Sequence, residues 1–162
     1  MRNVTLGIMG PSRAGKDDAA AWLVEHTTLT YAGSTSIAIS REVARREGIS
    51  FEEAHEQRHR RKVYWRALGD EMRKNNPAAL AEEMLKGSTL LVGVRARIEM
   101  QAVNQIGLCD LVVWVDRPGI PHDPTLEFGP ELCDITIHNW WSLDEYFARW
   151  RKLATTLGIM RT

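Results

Sequence analysis

Cysteine is nearly missing from this chain: two residues, Cys109 and Cys133, in 162. Both lie in apolar surroundings, so the expectation is buried thiols in a reducing cytosol and no disulfide framework. Net charge is missing as well, since 21 Lys and Arg balance 21 Asp and Glu. That argues against a protein that coats nucleic acid by bulk charge, but not against a local basic patch. No apolar run approaches the roughly 20 residues of a membrane span, and Met1 leads into a short strand rather than an apolar leader. These absences predict a cytoplasmic protein with no membrane partner. There is no internal repeat and no low-complexity tract. The length suits one domain, residues 1–162, with a core of its own.

What is present alternates between strand-like and helix-like segments. "NVTLGIM", "STLLVGV", "CDLVVWVD" and "CDITIHN" read as short buried strands, and "LTYAG" (29–33) as one more. Between them lie helix-forming runs. One covers 15–26; another follows "STS" (34–36), read as an N-cap, and ends at Gly48. A third opens on the capping box Ser50 and Glu53 and is expected to run to about Asn75. Further helices follow Pro77, run to Gly107, and start from a second capping box, Ser142 and Glu145. Four of the six prolines crowd into residues 117–131, which read as a loop. Strands separated by helices predict β-α-β units, hence an α/β three-layer α/β/α sandwich around a mainly parallel sheet.

Directly after the first strand comes "GPSRAGKDD" (10–18), in the frame G-x-x-x-x-G-K. Strand, glycine loop and helix start are the context that a P-loop requires. Gly10 and Gly15 let the backbone turn, so that N–H groups across Ser12, Arg13, Ala14 and Gly15 can face a nucleotide's phosphates. The helix N-terminus adds partial positive charge, and Lys16 reaches the β- and γ-phosphates. The cofactor expectation is therefore ATP with Mg²⁺. Asp17 stands where a Ser or Thr usually binds Mg²⁺. A carboxylate is an oxygen ligand suited to Mg²⁺, and Asp17 or Asp18 can also accept the proton of a hydroxyl acceptor.

Three further stretches accompany the loop: "RALGDEMRKNNPAALAEEML" (66–85), "LLVGVRARIEMQAV" (90–103), and "DLVVWVDRP" followed by "CDITIHNWWSLDEYFARW". With "GKD", this succession resembles the phage deoxynucleoside monophosphate kinase group of P-loop kinases over nearly the whole chain. The resemblance implies a P-loop NTPase fold and phosphoryl transfer from ATP to a deoxynucleotide, in the host cytoplasm if the chain is phage-encoded. The group includes kinases that phosphorylate the hydroxymethyl group of 5-hydroxymethyluracil in DNA. Two departures, shortness and Asp18 where that group has Thr, weigh against a free dNMP as acceptor. DNA containing 5-hydroxymethyluracil is the expected partner, with a free dNMP as the alternative.

The remaining candidates surround this reading. Arg58, Lys62 and Arg66 are spaced i, i+4, i+8, with Arg61 and Trp65 on a neighbouring face and Arg73 further along. Cations interleaved with aromatics suit a DNA strand, and also an acceptor's phosphate. Arg95 ends a strand, on the ligand side of such folds, and is expected to steady the transferring phosphoryl group, with Glu99 orienting it. Arg117, at another strand end, is expected to contact ATP. His122, Asp123 and Glu127 read as loop surface, and Trp140 and Trp141 as packing for the last helix. His55 and His59 have zinc-like spacing without a third ligand, so no metal site is assigned to them. No N-K-x-D guanine-reading motif is present, which places a nucleotide-dependent switch behind the two kinase readings.

Overall fold

Alternation along the strands builds the architecture. In the computed structural model, which describes residues 3–162, the first strand, β1 (Leu6–Met9), is wholly buried and turns successive side chains to opposite faces. Leu6 and Ile8 enter one core; Met9 enters another. The same division runs through β2 (Leu90–Val92), where Leu90 and Val92 oppose Leu91. It recurs in β3 (Leu111–Asp116), where Val113 and Val115 oppose Val112 and Trp114. Together with β4 (Ile135–His138), these form a four-stranded all-parallel sheet of order β2-β1-β3-β4. A parallel sheet apolar on both faces has to be covered on both.

Seven helices among the described residues supply the cover. On one face lie α1 (Lys16–His26) and α7 (Leu143–Leu157), which bring Trp22, Leu23, Tyr146 and Trp150 onto the sheet. The other face takes α2 (Thr35–Glu47), α4 (Lys62–Asn75), α5 (Ala79–Leu85) and α6 (Arg97–Gln105), through Val43, Leu68, Leu80 and Met100. The short α3 (Phe51–Glu56) leads into α4. The result is compatible with a three-layer α/β/α fold. None of these helices is long and apolar enough to cross a membrane.

Ser50 and Ser142 cap α3 and α7 as the sequence predicts, each accepting from the backbone N–H three residues on at 3.1 Å. Three local expectations need correction. Residues 29–33 run beside β2 without becoming a strand: the Thr30 carbonyl accepts from Thr89 and Leu90 at 3.0 and 3.1 Å, but no ladder continues. The helix expected from Ser50 to Asn75 breaks, with a 3-10 turn at Gln57–His59 and non-helical dihedrals at Arg61. Ser34 precedes α2 but makes no capping bond with its side chain, because its hydroxyl pairs with that of Ser36 at 2.7 Å.

Strand order fixes where a ligand fits. The chain leaves β1 for β2 on one side and then crosses to β3 on the other, so the connections diverge at the carboxyl end of β1. Crevices form at such a switch point. Residues 10–16 occupy it.

Candidate active site

The turn from β1 into α1 is sterically demanding. A Cβ on Gly10 would stand 2.8 Å from the Val115 carbonyl, and Gly10 has a φ of 150°. Arg13 adopts a φ of 68°, in the left-handed region, which costs a non-glycine residue on the order of 1 kcal/mol. Three contacts hold the turn in this shape. Arg117 donates to the Arg13 carbonyl at 3.0 Å, Asn139 to that of Ala14 at 2.9 Å, and the Tyr146 hydroxyl to that of Gly15 at 2.8 Å. In a trans peptide the N–H points opposite to its carbonyl. Tethering the Ala14 and Gly15 carbonyls therefore aims the N–H groups of Gly15 and Lys16 the other way, at the head of α1. Asp17 and Asp18 occupy the first turn of that helix, where its dipole favours anions.

Two cavities meet at this turn. One, of about 440 Å³, is lined by Arg13, Gly15, Lys16, Asp17, Asp18 and Arg117. The other, of about 600 Å³, lies towards β2 and α6, and its walls include Lys16, Asp17, Tyr31, Arg73, Arg95 and Glu99. Arg13, Lys16 and Asp17 border both; Asp18 borders only the smaller. Ser34 and Thr35 also face the larger cavity.

Lys16 is 9% exposed, and its ammonium donates to the Pro11 carbonyl at 2.7 Å. Burial first, and the Arg95 charge second, push its pKa below the usual lysine value. Burial likewise raises the Tyr31 phenol, with the Asp17 carboxylate adding to the effect.

Arg95 enters the larger cavity from the segment after β2, as its position predicts, but its partner differs from the expectation. One guanidinium nitrogen donates to Asp123 at 2.7 Å and to Thr125 at 2.8 Å; the other donates to the Ser12 hydroxyl at 3.0 Å. The Asp123 carboxylate also accepts from the Ser12 backbone N–H at 3.0 Å. Hydrogen bonds from Thr125, then Ser12 and Arg95, hold the Asp123 pKa well below the usual carboxylate range. Asp123 is thus no mere loop surface: the proline-rich segment docks an anion against the glycine turn. Glu99 pairs instead with Arg73, Nε to Oε2 at 3.4 Å.

Much of the expected basic face is absent. The break at residues 57–61 puts Arg58 and Lys62 on different elements. Arg58 donates to the His55 carbonyl at 2.7 Å. Arg61 is engaged by both carboxylate oxygens of Glu47 at 2.9 Å and stacks over Tyr64. Trp65 is buried, with its indole N–H 3.3 Å from the Ser40 hydroxyl, so it packs the core rather than offering a ring to a base. Lys62 and Arg66 are exposed, and of the set only Arg73 reaches the cavity. Trp140 and Trp141 are also placed differently from the expectation. Both are exposed: Trp140 donates to Asp116 at 2.8 Å, and Trp141 lies under Arg149. The two thiols are free and half-buried, and burial pushes both up to about 12.

Sequence reasoning missed Asn139, Tyr146, Tyr31 and Asp123. The first two were visible only as members of the terminal motif, with no signal that they brace the glycine turn. No protein-family model matches the chain, and no curated protein matches it.

Proposed function

We propose that this chain is a P-loop kinase that transfers the γ-phosphoryl group of ATP to a hydroxyl on a deoxypyrimidine. The observation that carries this reading is the meeting of two cavities at Arg13, Lys16 and Asp17. A nucleotide switch needs one pocket; a transferase needs a donor and an acceptor site sharing one boundary. The smaller cavity, with the aimed N–H groups and Arg117, suits the triphosphate. The larger suits the acceptor.

In this reading the acceptor hydroxyl oxygen bonds to the γ-phosphorus as the bond to the β–γ bridging oxygen breaks, releasing ADP. Asp17, bordering both cavities, takes the hydroxyl proton. Lys16 and Arg95 offset the charge on the transferring group, and anionic phosphates restore to Lys16 the proton affinity that burial removes. Arg95 comes into play when it exchanges the Asp123 carboxylate for phosphoryl oxygens. The residues also fit Mg²⁺. The exposed Asp17 carboxylate at the head of α1 is a hard oxygen donor of the kind Mg²⁺ takes, one or two per ion, beside substrate phosphates and water. Mg²⁺ bound there would neutralise charge between the β- and γ-phosphates.

The resemblance noted from the sequence makes 5-hydroxymethyl-deoxyuridine in DNA the acceptor. A free deoxynucleoside monophosphate is the second reading, and it is favoured by one finding: Trp65 and Arg61 are engaged within the protein rather than turned to a strand. The test supplies γ-labelled ATP and Mg²⁺ with 5-hydroxymethyluracil DNA, single- and double-stranded, and separately with dTMP and 5-hydroxymethyl-dUMP. Label on DNA selects the first reading and label on a mononucleotide the second. No transfer to any acceptor, with ATP bound, sinks both.

A further inference from the structure

Two residues that line the larger cavity, Glu99 and Arg73, each hold a buried polar atom without a hydrogen-bond partner. Glu99 is only 3% exposed, yet its Oε1 has no hydrogen-bond partner. Arg73 Nε is buried beside it, equally without one, although the two side chains pair at 3.4 Å through Oε2. Leaving such atoms buried without a hydrogen bond costs stability, the more so on charged groups. An apolar pair of similar volume would fill this wall without that cost. Both residues line the same cavity as Lys16 and Asp17.

The chemistry of the two atoms restricts what they can meet. A carboxylate oxygen needs an N–H or O–H donor. The neighbouring guanidinium nitrogen needs an acceptor. An anion fits poorly, because Arg73 is already matched by Glu99 and by Asp70, at 3.2 Å, and Glu99 would repel it. This wall therefore receives the neutral end of the acceptor, not its phosphate. An N–H beside a ring carbonyl or ring nitrogen is what a pyrimidine presents on its Watson–Crick edge.

We infer that Glu99 Oε1 and Arg73 Nε read the Watson–Crick edge of the acceptor pyrimidine, Glu99 accepting from the base and Arg73 donating to it. The inference rests on the kinase reading for the identity of the larger cavity. It adds a requirement. An edge engaged by protein is not engaged by a complementary base, so the substrate is a free nucleotide, a single strand, or a base extruded from the duplex. Uracil offers N3–H with a carbonyl, and cytosine offers its amino group with N3.

The test is calorimetric binding to the full chain with a non-hydrolysable ATP analogue present. The probes are 5-hydroxymethyl-dUMP, its N3-methyl derivative, 5-hydroxymethyl-dCMP and its N4,N4-dimethyl derivative, each also as the central base of a single-stranded trinucleotide. Methylating the edge should weaken binding by about tenfold or more. In the paired variant Arg73→Met with Glu99→Leu, which removes both polar groups together and so leaves no orphan charge, methylated and unmethylated probes should bind alike. A penalty seen only in the uracil series, or only in the cytosine series, supports the inference and names the base. Equal affinity in wild type, a penalty that persists in the paired variant, or no binding by any probe overturns it. Phosphoryl transfer that ignores edge methylation would sink this inference and spare the kinase reading; edge-dependent binding without transfer would do the reverse.

Discussion

Replacing Asp17 by Asn tests the chemistry most directly. The two side chains have the same shape, so the change removes a charge and a proton acceptor and little else. Asp17 is exposed in the first turn of α1, and losing a negative charge there costs about 0.3–1 kcal/mol of helix-dipole interaction. The fold should survive. The asparagine keeps an oxygen that can face Mg²⁺, so ATP affinity should change by no more than a few-fold. Proton acceptance is lost outright, and a positioned general base is worth about 10²–10⁴ in rate. That corresponds to roughly 2.7–5.5 kcal/mol in the barrier. Single-turnover transfer from γ-labelled ATP, at saturating acceptor, isolates this step from product release. Asp18→Asn is the internal control, because Asp18 borders the smaller cavity alone; on the kinase reading its effect should lie in ATP binding, with the transfer rate within about tenfold of wild type. Transfer by Asp17→Asn within threefold of wild type, or an equal collapse in Asp18→Asn, would refute the assignment of the base.

Three further outcomes are expected. Tyr146→Phe removes the 2.8 Å bond to the Gly15 carbonyl, for a loss of about 1 kcal/mol and a melting point lower by roughly 2–4 °C. ATP should bind several-fold more weakly while the acceptor KM holds, and an unchanged ATP affinity would show that the tether does not shape the turn. Trp65→Ala should destabilise by about 3–5 kcal/mol, as a core deletion does; a normal melting curve with lost DNA binding would restore the sequence-based role. Asp123 has a folded pKa below its unfolded value. Its stabilising contribution is therefore present above about pH 4, near the unfolded carboxylate pKa, and is lost as pH falls towards the folded value. Urea titrations of wild type and Asp123→Asn should show a constant stability gap above about pH 5 that narrows below about pH 4, and a gap indifferent to acid would remove Asp123 from the docking of the proline-rich loop.

What could be read from the sequence follows the range of the forces involved. The glycine turn, the four strands and the Ser50 and Ser142 caps are set by neighbours within a few residues, and they appear where the sequence puts them. The break between α3 and α4 has no proline or glycine to announce it. It coincides instead with tertiary and cross-turn bonds, from Arg61 to Glu47 and from Arg58 to His55. Residues 29–33 failed as a strand although Thr30 does bond to Thr89, because pairing at a single point satisfies no ladder. In the site, Lys16, Asp17, Arg73, Arg95 and Glu99 were legible as chemistry. Their partners were not: Arg95 meets Asp123 across 28 residues, and Glu99 meets Arg73 across helices.

The braces on the glycine turn bear on how this protein is made. Asn139 and Tyr146 lie 125 and 131 positions downstream of the carbonyls they hold. During translation the glycine turn therefore leaves the ribosome well before the two side chains that brace it. The turn lacks these braces until β4 and α7 have emerged and packed, so on the kinase reading ATP cannot act as an early template for folding the segments that precede them.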